Sequence, residues 1–81
     1  MMSSFEGDLN ERAKLIKTLS VNIKRYRKNR KLSQQALADM SGLHRTYISD
    51  LENAKCNPTL GVVVSLAECL HVSVFDLLKS H

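Results

Sequence analysis

The sequence predicts an all-α fold of five helices. Three observations carry that expectation. Apolar residues recur at steps of three and four rather than two, which is the period of a helix and not of a strand. Start signals stand where such stretches begin: Asp8 with Glu11, Ser33, and Ser73 with Asp76. Two of the stretches are short and are joined by a tight turn at Ser41-Gly42-Leu43.

The first helix is expected to start after Asp8, capped by the Asp8–Glu11 box, and to run to about Arg30. Leu9, Ala13, Ile16, Ser20, Ile23 and Arg27 share one stripe, with Leu19 and Tyr26 beside it. Lys24, Arg25 and Lys28 fall on the opposite side. A break near Thr18 is the alternative for so long a helix. Ser33 caps the second helix, Gln34 to about Ser41, in which Leu37, Ala38 and Met40 supply apolar contacts. Gly42 suits the left-handed residue that ends it. The third helix runs from about Arg45 to Asn53, with His44 as a weak N-cap. Asn57-Pro58-Thr59 leads into the fourth, which ends at Leu70. The Ser73–Asp76 box opens the fifth, Val74 to about Lys79. Helices this short are marginal alone, so tertiary packing must hold them.

Eighty-one residues make a single domain, read here as residues 1–81 with a flexible segment over residues 1–8. No stretch reaches the roughly 18 apolar residues of a membrane span, and the N-terminus lacks the basic and apolar regions of a signal peptide. A cytoplasmic protein is expected. Cys56 and Cys69 fit reduced thiols in that compartment. Cys69 and His71 cannot form a metal site alone and no second pair stands at ligand spacing, so neither metal nor cofactor is expected. Ser, His and Asp occur, but without a strained nucleophile turn or a glycine loop. An enzyme with a small-molecule substrate is not indicated.

The net charge of +4 is unevenly spread. Residues 19–31 alone carry +6, in Lys24, Arg25, Arg27, Lys28, Arg30 and Lys31. A cluster of this kind attracts polyanions and speeds encounter with them. As a bare feature it is more often a solvated lysine-rich face.

Arg27 is the exception among these cations, because it lies in the middle of the inward stripe. An unpaired charge there is costly. On the third helix, Leu43, Tyr47, Ile48 and Leu51 define the inner face, and Glu52 sits at its edge. An Arg27–Glu52 ion pair locking the first helix to the third is therefore expected, against the alternative that Arg27 snorkels to solvent.

Arg45, Thr46, Ser49 and Asn53 occupy the face of the third helix opposite Leu51. That is the layout of a helix-turn-helix whose second helix enters the major groove of double-stranded DNA. Arginine can donate two bonds to guanine O6 and N7, and a threonine methyl can meet a thymine methyl. Ser49 is small enough to let the backbone lie deep in the groove. Gln35 joins Arg45, Thr46 and Ser49 as a base-reading candidate. Gln34, at the amide-rich start of the second helix, is assigned to phosphate. Asn53, Lys55 and Asn57 follow the reading helix, where the chain should pass back over the phosphates. Tyr47 is read either as inner-face packing or as a further phosphate contact. In the fourth helix, Leu60, Val63, Leu66, Ala67 and Leu70 suffice for the core. Val62 and Val64, with Phe75 nearby, leave extra apolar surface, the mark of a dimer interface.

The segment from about Leu19 to Leu78 resembles the lambda/434 repressor-like, or XRE-type, helix-turn-helix family. The residues that carry the resemblance are Ser33-Gln34-Gln35-Ala36-Leu37-Ala38, Ser41-Gly42-Leu43, Ile48-Ser49-Asp50-Leu51-Glu52-Asn53, Pro58-Thr59-Leu60 and Leu66-Ala67-Glu68-Cys69-Leu70-His71-Val72-Ser73. The family's usual glycine after the fourth helix is His71 here. Arg45-Thr46-Tyr47-Ile48-Ser49 followed by Leu51-Glu52 looks like the controller proteins of restriction–modification systems. The resemblance implies a compact five-helix domain, Arg45 and Thr46 at bases, and a homodimer built from helices four and five on a palindromic operator. It also implies the helix-one arginine paired with the glutamate that ends the reading helix. Activation would need a surface for RNA polymerase as a further partner, and the sequence identifies none. A phage-type repressor, or an antitoxin-like protein acting through a protein partner, is the alternative.

Overall fold

Capping chemistry divides the chain into α1 (Met2–Asn29), α2 (Gln34–Ser41), α3 (Arg45–Glu52), α4 (Leu60–Leu70) and α5 (Val74–Leu78). The computed structural model describes the backbone of residues 2–81 and the side chains of residues 10–81. The expected Asp8 cap and flexible residues 1–8 lie outside the described side chains. α1 extends to the N-terminal side of Asp8, where the sequence reading started it, and is unbroken through Thr18.

Each later helix begins on a residue in extended conformation. Ser33 Oγ accepts from the Ala36 amide at 2.9 Å and Thr59 Oγ1 from Val62 at 3.2 Å. Ser73 and Asp76 form a complete capping box, each side chain accepting the other's amide at 3.0 Å. His44 starts α3 with no side-chain cap. Gly42 closes α2 at φ 75°, and the Leu43 amide reaches back to the Ala38 carbonyl at 3.1 Å. His71 takes the same left-handed conformation after α4, at φ 58°, so that turn is kept without a glycine. Lys31 and Ala54 are left-handed as well.

The core draws on every helix: Leu19 and Ile23, Leu37 and Ala38, Ile48 and Leu51, then Val63, Leu66, Ala67, Leu70 and Leu77. α1 packs against α3, α4 and α5, and α2 lies on α3 and α4. Three apolar expectations change. Ala13 of the predicted inward stripe is exposed, because this turn of α1 meets the loop before α4 through Arg12 and Ile16 instead. Leu60, counted among the core residues of the fourth helix, is 70% exposed at its first turn. Met40 is exposed on α2.

Asn22 is the polar surprise. Only 2% exposed, it donates its amide to the carbonyls of Leu77 and Lys79, each at 2.8 Å, and of Asp76 at 3.3 Å. α5 is five residues long and ends without a left-handed cap. Its last carbonyls therefore have no backbone partner of their own, and Asn22 satisfies them from α1.

Candidate nucleic-acid interface

α2 and α3 pack directly on one another across the Gly42 turn. Ile48 and Leu51 are fully buried on the inner side of α3. With 3.6 residues per turn this forces Arg45, Thr46, Ser49 and Asn53 onto the opposite side. Arg45, Thr46 and Asn53 are exposed and Ser49 is half-buried. The structure thus brings these four onto one outward face.

The angle of that face is set by a buried polar cluster around Glu52. Arg27 Nε lies 2.6 Å from Glu52 Oε2, and Arg27 Nη2 donates to Oε1 at 2.9 Å, a two-pronged pair joining α1 to α3. Arg27 Nη1 donates to the Leu32 carbonyl at 2.8 Å, which fixes the link into α2. Gln34 Nε2 donates to Glu52 Oε1 at 3.1 Å. Burial by itself would push the Glu52 carboxyl up. The hydrogen bonds from Arg27 and Gln34, with the charges of Arg27 and Lys24, outweigh it and hold the group below the ordinary carboxylate range. The bond to Glu52 holds the Arg27 guanidinium above its ordinary value against the cost of burial.

The remaining candidates fall into three settings. Gln34 is half-buried and occupied with Glu52, keeping one amide N–H for an outside acceptor. Gln35 is exposed, with its amide turned onto Asp39 Oδ1 at 2.9 Å. Asn53 folds back to donate to the Ser49 carbonyl at 2.9 Å, while Lys55 and Asn57 are exposed on the α3–α4 connection. Tyr47 is half-buried against the core beside Cys56. Burial and the neighbouring Cys56 push its phenol up. The Cys56 thiol is also pushed up, by burial and by the charge of Asp50.

Sequence reasoning missed Asn22 and the tie from Gln34 to Glu52. Asn22 lies off the apolar stripe of α1, so nothing local marks it as buried. Gln34 carries the expected residue type at a helix start, and only the folded chain shows that Glu52 is within its reach.

On the apolar side, Val64 is 40% and Phe75 82% exposed. Val62 is half-buried and packs on the core. Among the described residues no helix is long and apolar enough to cross a membrane, and no group of three or more metal-type ligands occurs.

A helix-turn-helix family model, HTH_3, matches residues 23–77. The control protein C.SmaI of Serratia marcescens is 47% identical over 60 residues, which span 74% of this chain and 71% of that protein. The crystal structure of the restriction-modification controller protein C.AhdI from Aeromonas hydrophila superposes with a TM-score of 0.74 at 29% identity, over 76% of this chain and 94% of that one. SinR, a master regulator for biofilm formation solved in complex with DNA, superposes with a TM-score of 0.71 at 34% identity, over 75% and 98%. The matched span contains the Gly42 turn, the outward face of α3 and the Arg27–Glu52 pair, and the fold is the lambda-repressor-like five-helix domain. The chain belongs to the HTH_3 helix-turn-helix family of DNA-binding transcriptional regulators.

Proposed function

We propose that this protein is the controller of a restriction–modification system and that it binds a palindromic operator as a homodimer. The observation that carries the reading is the outward Arg45–Thr46–Ser49 face on a helix held by a buried ion pair, in a chain 47% identical to a control protein over 60 residues.

Arg45 offers a two-pronged donor to guanine, and Thr46 offers a methyl and a hydroxyl to a neighbouring pair. Ser33 has claimed the Ala36 amide and its carbonyl the Leu37 amide, which leaves the amides of Gln34 and Gln35 facing outward for a phosphate. The second N–H of Gln34 can join them. Gln35 reaches a base by releasing Asp39. Asn53, Lys55 and Asn57 meet the backbone beyond the groove, and Tyr47 serves chiefly to seat α3. Phosphate contacts set the register and base contacts set the sequence.

Val64 and Phe75, with Val62 at the edge, form the surface on which a second copy docks. A two-fold pair would present two α3 helices to successive major grooves, about 34 Å apart. The protein would act in the bacterial cytoplasm, where its DNA is.

The test is a gel shift on the DNA upstream of its own coding sequence, run as a salt series, with Arg45→Ala beside the parent. Arg45→Ala is expected to cost about 1–3 kcal/mol and to relax one base preference. Equal loss on every sequence would refute the reading role of Arg45. A monomer by light scattering at tens of micromolar would refute the dimer.

A further inference from the structure

The positive charge of residues 19–31 is not used by the reading face, which holds only Arg45 and, beyond it, Lys55. Of the cations on α1 in that segment, Arg27 turns inward. The others collect elsewhere on the helix. At 100° per residue, Lys14, Lys17, Lys24, Arg25 and Lys28 fall within an arc of about 100°. That arc lies away from Leu19, Asn22 and Ile23, which face the core. All five cations are exposed, and among the described residues the one ion pair is Arg27–Glu52. Among the described residues the face is therefore un-neutralised at ion-pair distance.

Its position follows from the Glu52 cluster. Lys24 is close enough to Glu52 to help hold it ionised, and Arg27 on the next turn binds the Leu32 carbonyl just before α2. One end of the basic face thus borders the start of α2, where a phosphate is expected. From Lys28 to Lys14 it runs about 21 Å along the helix, the length of about six base pairs. Four of the five cations are lysines. Lysine is a mobile point charge, suited to phosphates and poorly suited to the fixed two-pronged reading of a base.

We propose that this face of α1 is a second DNA surface, which holds the phosphates of the duplex flanking the operator rather than its bases. The inference rests on the proposed operator binding, and the experiment separates the two. A variant carrying Lys14→Gln, Lys17→Gln, Arg25→Gln and Lys28→Gln leaves Lys24 beside Glu52 and changes only exposed helix positions to a good helix former, so it should keep the parent's circular dichroism and melt. Binding is measured against salt on two duplexes: the upstream DNA trimmed to its two half-sites, and the same DNA with ten added base pairs on each side. On the long duplex the parent should show the steeper dependence of log K on log salt, and the variant should lose about 0.9 in slope for each phosphate released. On the trimmed duplex the variant should lose less slope than on the long one, and the base preferences should match on both.

Identical slopes for parent and variant on the long duplex would overturn the proposal and leave a merely solvated face. Equal losses on both duplexes would overturn it too, since the charges would then act by general attraction. So would unchanged DNA binding with lost promoter output, which would assign the face to an acidic protein partner. An Arg45→Ala control that kept its sequence preference would instead defeat the operator reading, while the slopes would still decide the α1 face.

Discussion

Removing the carboxylate of Glu52 should unlock α3 from α1. In Glu52→Ala the Arg27 guanidinium, 8% exposed, keeps only its bond to the Leu32 carbonyl and stays in a site too dry to hydrate it. Breaking a buried pair in this way typically costs about 3–5 kcal/mol. A domain of this size holds roughly 4–12 kcal/mol in all. At about 4–8 °C per kcal/mol, Tm should fall by about 12 °C or more. Glu52→Gln keeps the shape and one acceptor oxygen, so its loss should be nearer 2 kcal/mol, the worth of a hydrogen bond to a charged group. The double variant Arg27→Met/Glu52→Leu removes both charges and should recover most of the loss. The pH dependence gives a second handle. The folded carboxyl sits below its ordinary value of 4.5, so the pair's contribution is present above about pH 4.5 and is lost as pH falls through the folded value. Parent and Glu52→Gln melts should therefore converge in acid. The assay is a circular dichroism melt at pH 7 and on an acid series. A Glu52→Gln protein melting within about 2 °C of the parent at pH 7 would refute the reasoning, because a group worth so little could not fix the reading helix.

Asn22→Ala should cost about 1–3 kcal/mol by leaving the end of α5 unsatisfied, and hydrogen exchange should show α5 opening before the rest of the fold. Protection of α5 equal to the parent's would count against the role given to that amide. Ala54→Gly and His71→Gly each relieve a left-handed residue and should raise stability, by about 1 kcal/mol apiece, with additive melting shifts because the two turns are separate. A fall in Tm for either would show that the turn is held by something other than backbone sterics. Phe75→Asp should leave the monomer fold intact, since the ring is 82% exposed, but abolish association in sedimentation or light scattering.

The helices were legible because their signals are local. Ser33, Gly42, Ser73 and Asp76 act on amides and carbonyls within four residues, and those bonds form wherever the helix ends. The length of α1 was less legible, since Asp8 with Glu11 reads as a start signal and Ser3, Ser4 and Gly7 are weak helix formers, yet the helix runs from Met2. Arg27 could be read because a charge on an apolar stripe demands a partner, and Glu52 stood at the edge of the one face that could supply it. Asn22 had no such mark. It sits between the buried and exposed sides of α1, and whether it is buried depends on where α5 lands, 55 residues later.

The sequence by itself determined the elements, the outward residues of α3 and the need for a partner to Arg27. All of these follow from helical periodicity and from the cost of burying an unpaired charge. The tertiary structure decided which apolar residues stay outside. Leu60 and Met40 read as core contacts on short helices, and only the packing of the helices left them in solvent. It also decided that Gln34 is tied to Glu52 and that the Arg27 end of α1 is bound to the residue just before α2. The physical reason is one of range. Capping and periodicity act within a turn or two of helix, whereas burial is settled by segments distant in sequence that compete for the same small core.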